Sequence, residues 1–598
     1  MKFLMGFAGL VLVAKLAGGA IARAQQQPLS VQAANAAMEK WPGGIFSAAG
    51  APPARTFGQD VLLEGLKAVW KNTVDRQDYL YIEHSVNLLV SPEGELPSLK
   101  VKENAEETIQ LGEPLMLLYG VTLNKRYYNA ATALDEGLLH QSMLFGYVDD
   151  AFLTAYALKF HHPEVFPEIA KRFLLNEEQF RSSPLHDMYM RRMGGLQTMA
   201  SYIATLADTI PLLPEDSAAR SELIAILNED AAIVAREQNA KTGLWNETME
   251  KAPAVVNIPD AAAPCLFIYA LAKGVRLGYL PERYDVAAER AYRSVLSRYV
   301  TEGANGSFAL HGILDGPLEM GAFILASTEI ENIKNAKVGR GDNVMVDGWF
   351  NSQKMKDATG QEIYFHYKWE EESNPGYSLW GHAFRNFGAR TTTLYAEPTF
   401  ENLQPAQVYI IASPDNLDKN PQAHFANATD AKEIAKWVKA GGVLAIMEND
   451  TSFADLDHFN VVAEKFGIHF NSTLRMHVVG TDWTMGRFYI DGKGPIFHYP
   501  HTAYVKDVCT ISVKPPAVPV YKHEKDIFMA EAKYGKGTVY AMVDPWFYNE
   551  YTNGLKLPAE YDNYAAGVEL ARWLLEQVPK EQGTGNRGQG SGSAATQP

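Results

Sequence analysis

From about Leu29 to Glu331 the apolar side chains recur at helical spacing, and strand-like alternation is almost absent. A chain so patterned must bury helices against helices. An irregular echo runs through the stretch: Tyr79 before Ile-Glu-His-Ser-Val, Tyr127 before Asn-Ala-Ala-Thr-Ala, Phe166 before Pro-Glu-Ile-Ala-Lys-Arg-Phe and Tyr284 before Asp-Val-Ala-Ala-Glu-Arg. Each unit joins a polar turn, an aromatic and an amphipathic helix, and recurrence over tens of residues points to a stacked or toroidal array of helix pairs. An irregular helical bundle is the alternative that the pattern leaves open.

Near Lys334 the pattern changes. Runs rich in Val and Ile follow, such as Val408-Tyr-Ile-Ile-Ala412 and Val443-Leu-Ala-Ile-Met447, alternating with helices such as Ala431 to Ala440. Gly441-Gly442 ends that helix where a C-cap glycine is expected. These features predict an α/β layer with a mostly parallel sheet covered on both faces. The stretch from about Lys580 is rich in Gln, Gly and Ser and is expected to be a disordered tail. At the other end, Lys2, the apolar Phe3 to Val13 and Ala22-Arg23-Ala24 have the order of a cleaved secretory signal. The apolar run is too short to span a bilayer. The expected division is therefore a signal over 1–24, a helical domain over 29–333, an α/β domain over 340–579 and a tail over 580–598, in an exported protein without a membrane span after cleavage.

The formal net charge of -16 over 598 residues excludes nucleic acid and anionic membrane as partners held by bulk charge. An anionic sugar would need a local basic pocket. Asp149, in Ser142-Met-Leu-Phe-Gly-Tyr-Val-Asp149-Asp150-Ala-Phe-Leu, shares its helix face with Phe145, Phe152 and Leu153. Such a carboxyl is desolvated, so its pKa rises and it holds a proton as a general acid must. A buried acid satisfied by a cap or an arginine fits the same spacing. Asp150 points elsewhere and reads as a structural partner. Glu106-Glu107 resembles either a solvated first turn or an acidic element of a site. Arg191-Arg192 suits a carboxylate, and equally a surface.

No His spacing proposes a metal, and no cofactor motif is found. The second half lacks a Gly-x-Ser-x-Gly elbow, a phosphate-binding loop and a cysteine at a strand-to-helix turn. Cys265 and Cys509 lie in different halves, which speaks against a bridge. The polar cluster Asp544-Pro-Trp-Phe-Tyr-Asn549-Glu550 follows a strand, where open sheets bind ligands, and could equally cap the next helix.

Several collinear stretches resemble glycoside hydrolase family 105, the unsaturated rhamnogalacturonyl hydrolases, and the related family 88. They are Gly112-Glu-Pro-Leu-Met-Leu-Leu-Tyr119 with Tyr127 to Ala131, Tyr147-Val-Asp-Asp150, Lys241-Thr-Gly-Leu-Trp245, Tyr269 to Tyr279 and Gly321-Ala-Phe-Ile-Leu-Ala326. The second half, through His366-Tyr-Lys-Trp369, Gly376-Tyr-Ser-Leu-Trp-Gly-His382 and Ile410-Ile-Ala-Ser-Pro414, is similar to a flavodoxin-like α/β domain of glutamine-amidotransferase-like shape.

The resemblance implies an N-terminal all-α (α/α)6 toroid that hydrates the C4=C5 vinyl ether of an unsaturated uronyl oligosaccharide. One aspartate protonates C4 and activates the water added at C5, and the hemiketal opens to release the partner sugar. Carried over residue by residue, the catalytic acids fall on Asp149 and Glu107, and substrate contacts on Arg191, His186, Phe57 and Trp245. The family needs no metal or cofactor for this step. The rim differs: Arg55-Thr-Phe57 stands where the family has Trp-x-Tyr, and Gly195 where it has Trp. A non-catalytic carbohydrate-binding or scaffold protein with a degenerate site is therefore the alternative. The α/β half is expected to hold or shape the toroid's open end.

Overall fold

The computed structural model describes residues 27–47, 57–97, 111–139, 150–182, 196–245, 261–302, 308–310 and 316–580. Among these, the first half contains twelve α-helices. They are α1 (Leu29–Lys40), α2 (Phe57–Thr73), α3 (Arg76–Asn87), α4 (Gly112–Thr122), α5 (Lys125–Leu139) and α6 (Asp150–Lys159). There follow α7 (Phe166–Ser182), α8 (Leu196–Thr209), α9 (Ala218–Glu237), α10 (Ala262–Arg276), α11 (Arg283–Tyr299) and α12 (Pro317–Ile333). Side chains set their starts: Asp75 accepts from the Gln77 N–H at 2.9 Å ahead of α3, and Ser217 from the Arg220 N–H at 3.1 Å ahead of α9.

The even-numbered helices form a closed ring. Going round, α2 packs on α12, α12 on α10, α10 on α8, α8 on α6, α6 on α4, and α4 back on α2. The odd-numbered helices lie outside it, each against an inner neighbour. This is the expected (α/α)6 toroid. Inner helices are walled on every side, which is why α4, α10 and α12 are buried almost throughout. Outer helices need only one apolar stripe. The sequence echo marks them: Tyr79, Tyr127, Phe166 and Tyr284 stand in the first turn of α3, α5, α7 and α11, and all four are buried.

The ring closes through glycine. A Cβ on Gly321 of α12 would lie 2.5 Å from backbone atoms of Val61 and Leu62 in α2, and one on Gly65 would lie 3.1 Å from the Gly321 carbonyl oxygen. Hydrogen here lets the two backbones meet.

The second half is a nine-stranded mixed sheet. Three ribbons lie off it: β1 (Val300–Glu302) with β2 (Phe308–Leu310), β4 (Lys354–Lys356) with β5 (Glu362–Tyr364), and β10 (Arg487–Ile490) with β11 (His501–Tyr504). The sheet comprises β3 (Asn343–Asp347), β6 (Arg390–Leu394), β7 (Val408–Ala412), β8 (Val443–Met447), β9 (Ile468–Arg475), β12 (Val508–Val513), β13 (Ala517–His523), β14 (Asp526–Tyr534) and β15 (Gly537–Met542). Its order is β6-β3-β7-β8-β15-β14-β12-β9, with β13 on β14. The expectation of a mostly parallel sheet is corrected. β6, β3, β7, β8 and β15 pair in parallel, while β14, β12, β9 and β13 add antiparallel. Antiparallel neighbours need no crossover helix. Four helices accompany the sheet: α13 (Ser378–Asn386), α14 (Ala428–Ala440), α15 (Leu456–Ala463) and, after a single turn at Asn549–Thr552, α16 (Asn563–Glu576). Asn427 and Asp430 form a capping box on α14, which ends at Gly441 with φ +132°.

The sheet half sits against the carboxyl ends of the inner helices. Trp70 Nε1 in the last turn of α2 donates to the Asn553 carbonyl at 3.2 Å, and Tyr564 donates to the Lys71 carbonyl at 2.7 Å. Gly120 near the end of α4 abuts Glu372. Lys159, the last residue of α6, donates to the Glu370 carbonyl at 3.2 Å, and Arg276, the last of α10, to the Arg385 carbonyl at 3.4 Å. Where the sequence led us to expect it at the toroid's open end, the second half closes the end where inner helices finish.

Because the α2–α12 contact leaves no room for a methyl group, Gly321→Ala is expected to destabilise the protein. Overpacking costs about 1–3 kcal/mol, against a helix-propensity gain of ~1 kcal/mol for replacing Gly. Urea unfolding measures the balance; a variant more stable than the parent would mean that the helices separate freely.

Candidate active site at the mouth of the helical ring

All six inner helices begin at the end opposite the sheet half. The described floor at that end is built by close approach. A Cβ on Gly112, the first residue of α4, would penetrate the Phe152 ring of α6, so the two helix starts pack ring against backbone. Asp150 opens α6. Its carboxylate faces outward to Arg172 of α7 at 3.3 Å, with both side chains nearly buried, and Thr154 donates to the Asp150 carbonyl at 2.5 Å. Burial pushes the Asp150 carboxyl up to about 7, against the pull of the Arg172 guanidinium. Asp150 is thus a partner between helices, in agreement with its reading from sequence.

Asp149, Glu107, Arg191 and His186 lie outside the described residues, as does the side chain of Phe57, the first residue of α2. In the chain, Asp149 directly precedes α6, Arg191 comes five residues before α8 and Glu107 five before α4. Trp245 is described, and its position corrects the expectation that it contacts sugar. The side chain is 1% exposed, its indole N–H donates to the Val234 carbonyl at 2.7 Å, and its ring packs on Phe267 at 4.9 Å. Every face is occupied by protein.

Deeper in the ring lies a charged cluster that the sequence analysis missed. Lys67 of α2 bridges Glu64 on its own helix and Glu113 of α4, the latter at 2.6 Å. Lys273 of α10 pairs with Asp208 of α8 and lies 2.9 Å from the Tyr269 hydroxyl, which itself donates to Asp208 at 2.5 Å. Arg276 grips Glu329 of α12 through two bonds of 2.6 and 2.7 Å. Glu64 feels Asp208 across the ring, and Glu113 feels Lys273, so these groups face the axis rather than the outer helices.

Burial raises Glu64 to about 7 although Lys67 opposes it. Burial also acts to raise Glu113, but Lys67 outweighs it and holds that carboxyl below its ordinary value. Lys71 lies beside them with its ammonium lowered by burial, pulled the other way by Glu372 from the sheet half. Four acids meet four bases here. A helical wheel shows such i, i+3 charges as a solvated stripe; only ring closure turns them inward.

Cys265 and Cys509 are both free and buried. Burial pushes the Cys509 thiol well above its ordinary value, which denies it thiolate character. Among the described residues no group of three His, Cys, Asp or Glu side chains could hold a metal ion, and no helix is long and apolar enough to cross a membrane.

Residues 198–334 match glycosyl hydrolase family 88. The match runs from within α8 to just past α12 and includes Trp245, Tyr269 to Tyr279 and Gly321. Among solved structures the chain is similar to a glycoside hydrolase from family 105 of C. acetobutylicum, at 22% identity over 51% of this chain and 99% of that one, with a TM-score of 0.44. It is also similar to a glycosyl hydrolase of family 88 from Bacteroides vulgatus, at 15% identity over 51% and 97% of the two chains, TM-score 0.40. A possible member of family 105 from Salmonella enterica aligns at 19% identity over 47% and 83%, TM-score 0.37.

Asp150 gives a pH prediction. Its carboxyl titrates from 3.8 in the ordinary case to about 7 when folded, so between these values the folded chain holds the extra proton. The stability carried by the neutral form is complete below pH 4 and is lost as pH rises through 7. Asp150→Asn should therefore lose less stability between pH 5 and pH 8 than the parent does in urea titrations. Identical losses would remove Asp150 as the titrating group.

Proposed function

We propose that this chain is a glycoside hydrolase acting on unsaturated uronyl oligosaccharides, of the kind released from rhamnogalacturonan or pectin by lyases, through hydration of the C4=C5 vinyl ether. The observation that carries this reading is the match of residues 198–334 to glycosyl hydrolase family 88, which lies on half of the closed inner ring. Asp149 is the acid that protonates C4 and activates the water added at C5. Its neighbour Asp150 is committed to Arg172, which leaves Asp149 as the carboxyl of the pair open to a substrate. Glu107 is the second acid, and Arg191 with His186 and Phe57 receives the uronate and its ring. No metal or cofactor takes part.

We further read the sheet half as an α/β domain of flavodoxin-like, glutamine-amidotransferase-like shape. Its buried, neutral Cys509 supports a role without thiol chemistry. The chain is an exported protein whose mature form begins near Gln25.

Four measurements test this reading. The full chain should discharge the ultraviolet absorbance of an unsaturated galacturonyl disaccharide, because hydration removes the double bond conjugated to the carboxylate. Asp149→Asn should slow this by about 10²- to 10⁴-fold, the usual cost of losing a general acid; parental rates in that variant would reject the assignment. Cys265→Ala with Cys509→Ala should leave the rate within a few fold. Lack of activity on every unsaturated uronide would instead favour a non-catalytic carbohydrate-binding protein. Mass spectrometry of exported protein should find Gln25 near the new terminus, and an intact Met1 would refute export with cleavage.

A further inference from the structure

A second pocket, of about 200 Å³, opens in the sheet half. Ser413 follows β7 directly, Asn449 lies two residues past β8, and Tyr548 and Glu550 follow β15. These are three adjacent parallel strands, and all contribute from their carboxyl ends. Open α/β sheets bind ligands along that edge. His366 and Tyr367, from the segment after β5, complete the wall. The cluster Asp544 to Glu550, which the sequence left between ligand binding and capping, supplies two wall residues here, while Asp544 itself is buried beneath.

Three wall residues hold left-handed backbone: His366 at φ 63°, Tyr367 at 59° and Ser413 at 46°. Such a conformation is strained for a residue with a Cβ, and such outliers persist where the surroundings over-determine them, commonly at binding sites. The aromatic wall is preorganised as well. Tyr367 and Tyr548 stack at 4.9 Å and 22° and share a hydrogen bond through their hydroxyls.

Polar groups on the wall differ in what they have left to offer a ligand. The His366 imidazole makes no hydrogen bond with a described residue, and burial together with Lys368 and Lys419 pushes it down to about 4, so it is neutral near pH 7. Asn449 accepts from the Asp450 N–H at 3.1 Å through its oxygen, leaving its amide N–H groups uncommitted. The Glu550 carboxylate is occupied by Lys556. Lys419 lies over the Phe453 ring at 4.3 Å and pairs with no carboxylate among the described residues. Beneath, Asp415 accepts from Ser352, Gln353 and Asn420, and burial raises the Asp544 carboxyl well above its ordinary value. Among the described residues Lys419 is thus the wall cation without an ion-pair partner.

We propose that this pocket binds a single sugar acid, a monosaccharide-sized, polyhydroxylated ligand with one carboxylate. A cavity of about 200 Å³ suits a ligand of monosaccharide size. Tyr548 and Phe453 border the ring, the free amide and imidazole take hydroxyls, and Lys419 takes the carboxylate. A single cation matches a monoanion rather than a phosphate dianion. Binding here is independent of chemistry in the helical ring.

Calorimetric titration of the full chain tests it with three probes: D-galacturonate, D-galactose, which has the same ring without the carboxylate, and acetate, which has the carboxylate without the ring. Galacturonate should saturate one site, roughly tenfold or more tighter than either other probe, as one charge-assisted contact implies. Lys419→Met should remove that preference while an unchanged melting curve shows the fold intact, and Asn449→Leu, which fills the pocket, should abolish binding. Arg191→Ala, in the helical half, should leave it unchanged. The proposal is overturned by no saturable binding, by equal affinity for galactose, or by binding that survives Lys419→Met and disappears in Arg191→Ala, which would place the ligand in the ring.

Discussion

Everything in the helical half depends on α12 meeting α2. These helices are some 260 residues apart in the chain, and the ring exists only if the last inner helix closes on the first. Closure is achieved by backbone contact at Gly65 and Gly321, and it is locked lower down by polar side chains. Asn72 of α2 donates to Asn332 of α12 at 2.9 Å, while its own oxygen accepts from His382 and Asn386 of α13, both at 2.8 Å. One amide thus ties the two ends of the ring to the first helix of the sheet half. His382 is fit for this because burial, with Arg385 and Lys71 beside it, drives its pKa well below the ordinary value, so the ring is a neutral donor through Nε2.

Closure creates a second problem, a lumen lined by side chains with no outer helix to meet. An apolar lumen would have to be filled completely, whereas this one carries the ion pairs Lys67–Glu113, Lys273–Asp208 and Arg276–Glu329. Removing a partner from a buried ion pair is costly, while a complete set is tolerated. The carboxyl ends of the inner helices also carry unpaired carbonyls, and the sheet half supplies donors for them: Tyr564 to Lys71 of α2, for example. Among the described residues the base of the ring is thus covered by the sheet half.

The periodicity made the helical half legible: helix after helix, outer helices marked by an early aromatic, and a change of class near Lys334. What periodicity could not show is orientation about the ring axis. Glu64, Lys67 and Lys71 read as an exposed stripe until α2 is placed between α4 and α12. Trp245 failed for the opposite reason, since a motif names a residue without saying which way its ring points, and here it points into the core. The antiparallel part of the sheet escaped because β13 alternates weakly and contains Pro519, and because β9 carries exposed polar side chains on one face. Of the sheet-half pocket the chain offered only the Asp544 to Glu550 cluster after a strand. His366, Lys419 and Asn449 share no spacing, and only the strand order brings them together. Asp149, Glu107, Arg191 and His186 remain readings from the chain, placed by the helices that they precede.

A chain of formal charge -16 repels an anionic sugar at long range, so any uronate must be recovered by local fields. The direction of the inner helices provides one. All six start at the same mouth, and each helix start carries the equivalent of roughly half a positive charge that acts within its first turn. Six such ends converge where Arg191 precedes α8, whereas the six negative ends point at the sheet half, where Lys71, Arg276 and Arg385 gather. The same rule orders both ends of the ring: bases collect where helices finish, and the open mouth is left to anions. This field falls off within about the first helical turn and is further screened by salt, which suits discrimination between a uronate and a neutral sugar once bound rather than capture from solution.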